Sequence, residues 1–322
     1  MRRNLVTGGS GFLGTYLVWE LLRNNEEVVV FDSLVKPPDT ATGIMKKAEY
    51  FSGDVSNLVN VLEAVKKYDI DCIYHCAALR TITSEADPFR AFQVNVEGVV
   101  NVLEVSRILG VKDVIMISSG ASYGAERPPA MIYDDTLQQP DNMYGVTKVC
   151  DERLGEQYHR QYGVNFRALR FPVVVGPGRQ IAYYFGDWSG VIEIPARGKP
   201  YTVHSNPQDH CHYMYVKDAI QAMLSIREAP EKRLRHRVYN AGGFLASISE
   251  VTEAVKRVIP DAQITFDVDN GEKMRSLNRG VNYEMDNTSA FEDFGYQPRY
   301  LLDEMVEDFI QEVRRGRPAK MD

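Results

Sequence analysis

Cysteine is scarce in this 322-residue chain: Cys72, Cys76, Cys150 and Cys211 are the only four, and no two of them form a CxxC pair. That excludes a disulfide framework and a cysteine-based zinc site, so reduced, packed thiols are expected. His210-Cys211-His212 would present alternate side chains on one strand face, but with no acidic or cysteine cluster nearby no metal is expected. Basic charge is short as well, with 37 Lys and Arg against 44 Asp and Glu and a net charge of −7. A phosphate backbone needs a concentrated basic face, so no nucleic-acid partner is expected. Long apolar runs are missing, which excludes a membrane-spanning helix and, with it, a membrane partner. The first strand is expected within a few residues of Met1, leaving no room for a cleaved leader, and the expected location is cytoplasmic.

What the chain does have is glycine at a telling place. Thr7 to Gly14 reads TGGSGFLG, just after the apolar pair Leu5-Val6 and just before an apolar-periodic stretch from Phe12 to Leu21. Gly9, Gly11 and Gly14 fit GxGxxG, and Gly8, Gly11 and Gly14 fit the GxxGxxG variant. A glycine turn between a first strand and a first helix bares backbone N–H groups toward a dinucleotide pyrophosphate. Asp32 closes the next strand 18 residues after Gly14, where a carboxylate accepts from the adenosine ribose hydroxyls. It would repel a ribose phosphate, and neither Ser33 nor Leu34 is an arginine to welcome one. The cofactor expected is NAD.

Strand-like runs recur at Asn4-Thr7, Glu27-Phe31, Tyr50-Gly53, Cys72-His75, Asp113-Ser118 and Asn165-Phe171. Helical patterns separate them, near Phe12 to Arg23, Leu58 to Lys67, Phe89 to Leu109 and Asn142 to Tyr162. That alternation predicts an α/β fold with a Rossmann-like, doubly wound parallel sheet. An NAD-binding unit is expected over 1–175, with the chain returning to it at about 213–245, and a smaller, discontinuous substrate-binding unit over 176–212 and 246–322. Asp286-Asn287-Thr288 reads as an N-cap for a short helix ended by Gly295.

Tyr144 and Lys148 form a YxxxK pair, and one helical turn puts phenol and ammonium on the same face. A tyrosine is a poor proton carrier near neutral pH, and an adjacent cation favours its phenolate, which makes a usable acid/base. The strand ending in Ser118-Ser119-Gly120 brings hydroxyls to the crevice where ligands bind in such sheets, although either serine would also cap a turn.

With these motifs the chain resembles the extended short-chain dehydrogenase/reductase family, which holds nucleotide-sugar epimerases, dehydratases and related dehydrogenases. TGGSGFLG, Asp32, Gly53-Asp54-Val55, His75-Cys76-Ala77-Ala78, Asn95-Val96-Glu97-Gly98, ISSGASYG, YGVTK and Leu169-Arg170-Phe171 fall in that family's order. The resemblance implies a catalytic Ser119, Tyr144 and Lys148. It implies a cofactor site of Gly8, Gly11, Phe12, Leu13, Gly14, Asp32, Asp54, Val55, Ala77, Ala78, Leu79, Asn95, Ser118, Tyr144, Lys148, Phe171, Pro172 and Val173. Asn95 resembles the family's active-site helix asparagine or else pins backbone, and His75 reads as packing. A homodimer through the helices around Phe89 to Leu109 and Asn142 to Tyr162 is implied too.

Two departures bear on the substrate. Nucleotide-sugar members usually carry an asparagine where Val173 stands and a diphosphate-gripping arginine where Cys211 stands. The segments Arg197-Gly198-Lys199-Pro200-Tyr201 and Tyr213-Met214-Tyr215, with the tail from Asp286, are partly similar to the threonine-dehydrogenase branch. Together these point to hydride transfer between NAD and a secondary alcohol or ketone of a small polar substrate, a sugar, sugar acid or hydroxy acid. Arg80, Ser119, Gly120, Arg179 and His212 are the candidates for holding it. The alternatives are a nucleotide-sugar epimerase or dehydratase with tightly bound NAD, and a non-catalytic NAD-binding protein.

Overall fold

The short apolar runs become strands buried on both faces, and the amphipathic stretches between them become the helices that cover those faces. The computed structural model describes residues 2–33, 43–124, 131–179, 186–267 and 283–316. Its first half comprises β1 (Arg3–Thr7), α1 (Phe12–Arg23), β2 (Glu27–Asp32), β3 (Glu49–Ser52), α2 (Leu58–Tyr68), β4 (Cys72–His75), α3 (Thr81–Ala86), α4 (Pro88–Ala91), α5 (Gly98–Leu109), β5 (Asp113–Ser119), β6 (Met131–Ile132), α6 (Met143–Tyr162) and β7 (Phe166–Phe171). The remainder is β8 (Val173–Val175), α7 (Gly186–Ala196), β9 (Tyr201–Val203), β10 (His210–Tyr215), α8 (Val216–Glu228), β11 (Val238–Asn240), β12 (Phe244–Ser247), α9 (Ile248–Val258), β13 (Ile264–Phe266), β14 (Glu284–Met285), α10 (Thr288–Phe294) and α11 (Leu302–Arg314).

Seven strands form one sheet in the order β11-β7-β5-β4-β1-β2-β3, with every pairing parallel. Period-two alternation divides its side chains between two cores. Leu5, Phe31, Ile73 and Val114 join the apolar residues of α2 and α5 on one face. Val6, Val30, Tyr74 and Ile115 join those of α1 and α8 on the other. The chain builds β2 and β3 to one side of β1, then crosses back to lay β4, β5 and β7 on the other. At that reversal the carboxyl ends of β1 and β4 diverge and open a crevice, the usual ligand position in such sheets.

Beyond β7 the chain leaves this sheet. A second sheet runs β12-β10-β8, with β10 antiparallel to β12 and parallel to β8. Tyr213-Met214-Tyr215 was expected to lead back to the nucleotide-binding unit, but the strand stays in the second sheet. Cys211 to Tyr215 are all buried, and a strand covered on both faces needs neighbours on both edges, which β8 and β12 provide. The return is made instead by α8, which packs on α1 and β7, and by β11, which pairs with β7. The short helix α10 forms and ends at Gly295 with φ 72°, but its N-cap is Asn287, which makes no side-chain cap bond; the Asp286 carboxylate, one residue earlier, accepts from Thr288 N at 3.2 Å.

The stretch expected as one helix from Phe89 to Leu109 is interrupted. Between α4 and α5, Phe92–Glu97 forms a π-helical turn, a device found mostly at functional positions. Among the described residues no helix is long and apolar enough to cross a membrane.

Candidate active site

Five strands deliver Thr7, Asp32, His75, Ser119 and Phe171 to the same edge of the parallel sheet. At its centre is the turn between β1 and α1. Gly8 takes φ +64°, and a Cβ on Gly14 would run into the Gly8 carbonyl oxygen, so only glycine lets α1 start this close to the strand. Gly11 is the N-cap of α1 and no side chain caps the helix. The first N–H groups of α1, around Phe12 and Leu13, are therefore not satisfied by a side-chain cap, an arrangement that suits an anion. Asp32 accepts from Ser10 N at 3.0 Å, which ties the acid to the same turn.

Further residues expected in the cofactor site follow β3 and β4. Asp54 binds Ser56 through one oxygen, N at 2.9 Å and Oγ at 2.7 Å, and meets the Arg90 guanidinium with the other. Burial works to raise its pKa, but the Ser56 and Arg90 bonds outweigh it and the net direction is down. Val55 is buried against α5, its carbonyl held by Asn101 Nδ2 at 2.9 Å. Ala77, Ala78 and Leu79 line the groove half-buried, and Ala77 N donates to Thr7 Oγ1 at 3.3 Å. Thr7 Oγ1 also lies 2.9 Å from His75 Nδ1. Burial, then the Lys148 charge, pushes His75 down to about 3, so the ring stays neutral.

Asn95, swung inward by the π turn, accepts from Leu79 N at 2.8 Å and donates to Leu79 O and Thr147 Oγ1, each at 3.0 Å. Its amide therefore pins the groove backbone to α6. It is the backbone-pinning alternative that the geometry favours.

Asn142 caps α6, its Oδ1 accepting from Gly145 N at 2.9 Å. A Cβ on Gly145 would strike the Ala121 carbonyl oxygen, so this glycine lets the first turn of α6 press onto the Gly120–Tyr123 turn that follows Ser119. Tyr144 and Lys148 thereby reach the end of β5. Lys148 Nζ lies 5.7 Å from the centroid of the Tyr144 ring and 3.3 Å from Asp151 Oδ2. Burial acts to lower the Lys148 pKa, but the Asp151 carboxylate and the Tyr144 oxygen outweigh it and hold the ammonium charged. Ser119 is half-buried and its Oγ accepts from Ala121 N at 3.2 Å, which leaves the hydroxyl proton to donate. Gly120 is braced from behind by the Tyr283 hydroxyl, which donates to its carbonyl. Phe171, Pro172 and Val173 are buried beside this turn.

Two of the expected site residues are bonded within the protein. Adjacent strand residues face opposite ways, so when Ser119 faces the crevice Ser118 points into the protein, where it donates to Glu152. His212 is buried, with Nδ1 3.0 Å from Tyr283 O and Nε2 accepting from Gly243 N at 3.1 Å. Both ring nitrogens are used by backbone, so the imidazole fastens β10 to neighbouring segments and does not hold substrate. Burial, against those bonds, pushes it down to about 4.

Arg179 donates to Val174 O; burial, then the charge of Arg80, pushes it down to about 10, and Cys211 and Tyr144 act on it in the opposite sense. Arg80 is exposed at the N-cap of α3. Among the described residues no group of His, Cys, Asp or Glu could hold a metal.

Reading the sequence missed Asp151, Glu152 and Arg90. Asp151 and Glu152 follow Lys148 by three and four positions, a spacing that shares a helix face. Glu152 is the hub of a buried network: Arg170 Nε and Nη2 bind its two oxygens at 2.9 and 2.8 Å, and Gln138 Nε2 adds a bond at 2.8 Å.

Residues 4–242 match the model of the NAD dependent epimerase/dehydratase family. The mitochondrial L-threonine 3-dehydrogenase of Sus scrofa is 29% identical over 94% of this chain and 80% of its own length. An L-threonine dehydrogenase structure from Clostridium difficile superposes with a TM-score of 0.88 at 30% identity, covering 98% of both chains. A UDP-glucose 4-epimerase from Thermotoga maritima, solved with UDP-glucose, gives a TM-score of 0.84 at 25% identity, covering 98% of this chain and 99% of its own.

Proposed function

Because the chain belongs to the NAD dependent epimerase/dehydratase family, we propose that it is a dehydrogenase acting on the secondary alcohol of a small polar substrate, with Ser119, Tyr144 and Lys148 as its catalytic residues. Supporting this most directly is the meeting of the Tyr144–Lys148 pair with the Ser119 turn at the end of β5, which Gly145 permits. The uncapped glycine turn and Asp32 fit a dinucleotide without a ribose phosphate. NAD, when bound, supplies the hydride acceptor. The chain's own groups handle the proton. Tyr144, as its phenolate, would take it from the substrate hydroxyl, Ser119 Oγ–H would orient that oxygen, and the Lys148 ammonium would favour the phenolate and be the group to hold the nicotinamide ribose.

A small substrate is favoured over a nucleotide sugar by Val173 and Cys211, both buried and neither able to bind a diphosphate. The charges of Arg80 and Tyr144 both act on Arg179, and positive charge at that position would suit a carboxylate. Incubating the purified chain and NAD with L-threonine, other hydroxy acids, sugars and uronates should yield NADH with at least one of them. A protein that retains NAD tightly, forms no NADH with any of these and interconverts UDP-sugars would establish the epimerase reading instead, which the UDP-glucose 4-epimerase likeness keeps in view.

The proposed homodimer uses the helices from Phe89 to Leu109 and from Asn142 to Tyr162, where Phe89, Phe92 and Val146 are exposed. Light scattering should give twice the chain mass of 36.5 kDa; a monomer would contradict it.

A further inference from the structure

We propose that Asp151 is a positioning residue for proton transfer: its carboxylate neutralises the Lys148 ammonium inside the protein, and so keeps the Tyr144 phenol protonated to higher pH than a bare lysine would. The proposal rests on the reading of Tyr144 and Lys148 as the acid/base pair. Its geometry is a closed ion pair, with Lys148 Nζ 3.3 Å from Asp151 Oδ2 and side chains only 2% and 0% exposed. The second carboxylate oxygen, Oδ1, is buried and has no hydrogen-bond partner among the described residues. Glu152, one position on, shows what a structural carboxylate does here: both its oxygens are bonded, to Ser118, Arg170 and Gln138. Asp151 makes no such investment in the fold and addresses Lys148.

The other groups around the pair act on it more weakly than Asp151 and Lys148 act on each other. Glu152 shares the helix and is neutralised by Arg170. His75 and Cys76, at the end of β4, feel the Lys148 charge, but burial pushes the imidazole down to about 3 and the thiol up to about 12, so both are neutral. Cys150, next to Asp151 on α6, has its thiol pushed up by burial and by the Asp151 charge, and Tyr144 lies one turn back from Lys148 on the same helix. Burial pushes the Asp151 carboxyl up, against the pull of the Lys148 ammonium that pairs with it.

The consequence is a bias in the direction of proton transfer. A bare ammonium beside a phenol favours the phenolate, which accepts a proton from an alcohol; a neutral pair leaves the phenol, which donates one to a carbonyl oxygen. Asp151 therefore favours alcohol formation and moves alcohol oxidation to higher pH than an unpaired Lys148 would set.

Tyrosinate absorbance tests this without a substrate, since the difference between the purified chain and its Tyr144→Phe variant across a pH titration isolates one phenol. In Asp151→Asn, measured against Asp151→Asn with Tyr144→Phe, the midpoint should fall by about one pH unit, the size expected for one nearby charge. Asp151→Ala should give the same shift if the asparagine variant does not fold. A midpoint that stays in place or moves to higher pH in a folded variant overturns the proposal. Should Tyr144→Phe leave NAD-dependent turnover intact, the acid/base reading itself falls, which is a separate result from an unmoved midpoint.

Discussion

Tyr144→Phe is expected to lower NAD-dependent turnover by about two to four orders of magnitude, the usual worth of a positioned acid/base, while NAD affinity barely changes. The substitution removes one oxygen and keeps the ring that sits over Lys148. Asn142, Gly145 and Thr147 set the start of α6 through contacts that do not involve the phenol oxygen. The loss should therefore appear in turnover and not in binding. Steady-state NADH formation alongside a fluorescence titration of NAD separates the two, and turnover within a few-fold of the parent would show that the phenol carries no proton.

The second large effect is on stability. Glu152→Ala should cost about 3–5 kcal/mol, because it strands the Arg170 guanidinium in the interior rather than simply removing a pair. Arg170 is 3% exposed and Glu152 0%, so water cannot take over the lost bonds. Ser118 loses its acceptor as well, and Gln138 loses its anchor. Arg170 keeps its bonds to the Tyr123 hydroxyl and to Asp134 O at 2.8 Å, which limits the damage. Urea unfolding measures it. A loss below about 1 kcal/mol, the range of an exposed pair, would mean that the network is wetter or more adaptable than its geometry implies.

Where one element carried its own signal, the fold was legible in the chain. The glycine turn, the strand ending at Asp32 and the helix from Leu58 follow from local pattern, since apolar period, caps and glycines sit within one stretch of sequence. The limits of this kind of reading appear where partners are distant. Tyr213 to Tyr215 look like a strand from any angle, but which sheet takes them depends on β8 and β12. His212 resembled a ligand because a histidine near a cleft carries no mark of being fastened to Tyr283 and Gly243. Ser118 and Ser119 are chemically alike, and only the strand's orientation shows which one turns inward. For Glu152 the partner lies 18 residues away on β7, beyond any helix-spacing argument. Asp151 was within such an argument, three residues from Lys148, but a carboxylate near a lysine on a helix is ordinarily a solvated surface pair, and only burial gives it weight.

The most direct test is a crystal structure of the chain with NAD. The account predicts the pyrophosphate against the first N–H groups of α1, the adenosine ribose on Asp32, and the nicotinamide ring beside the hydroxyl of Tyr144 with Lys148 reaching its ribose. A dinucleotide bound elsewhere, or a nicotinamide out of reach of Tyr144, would contradict it.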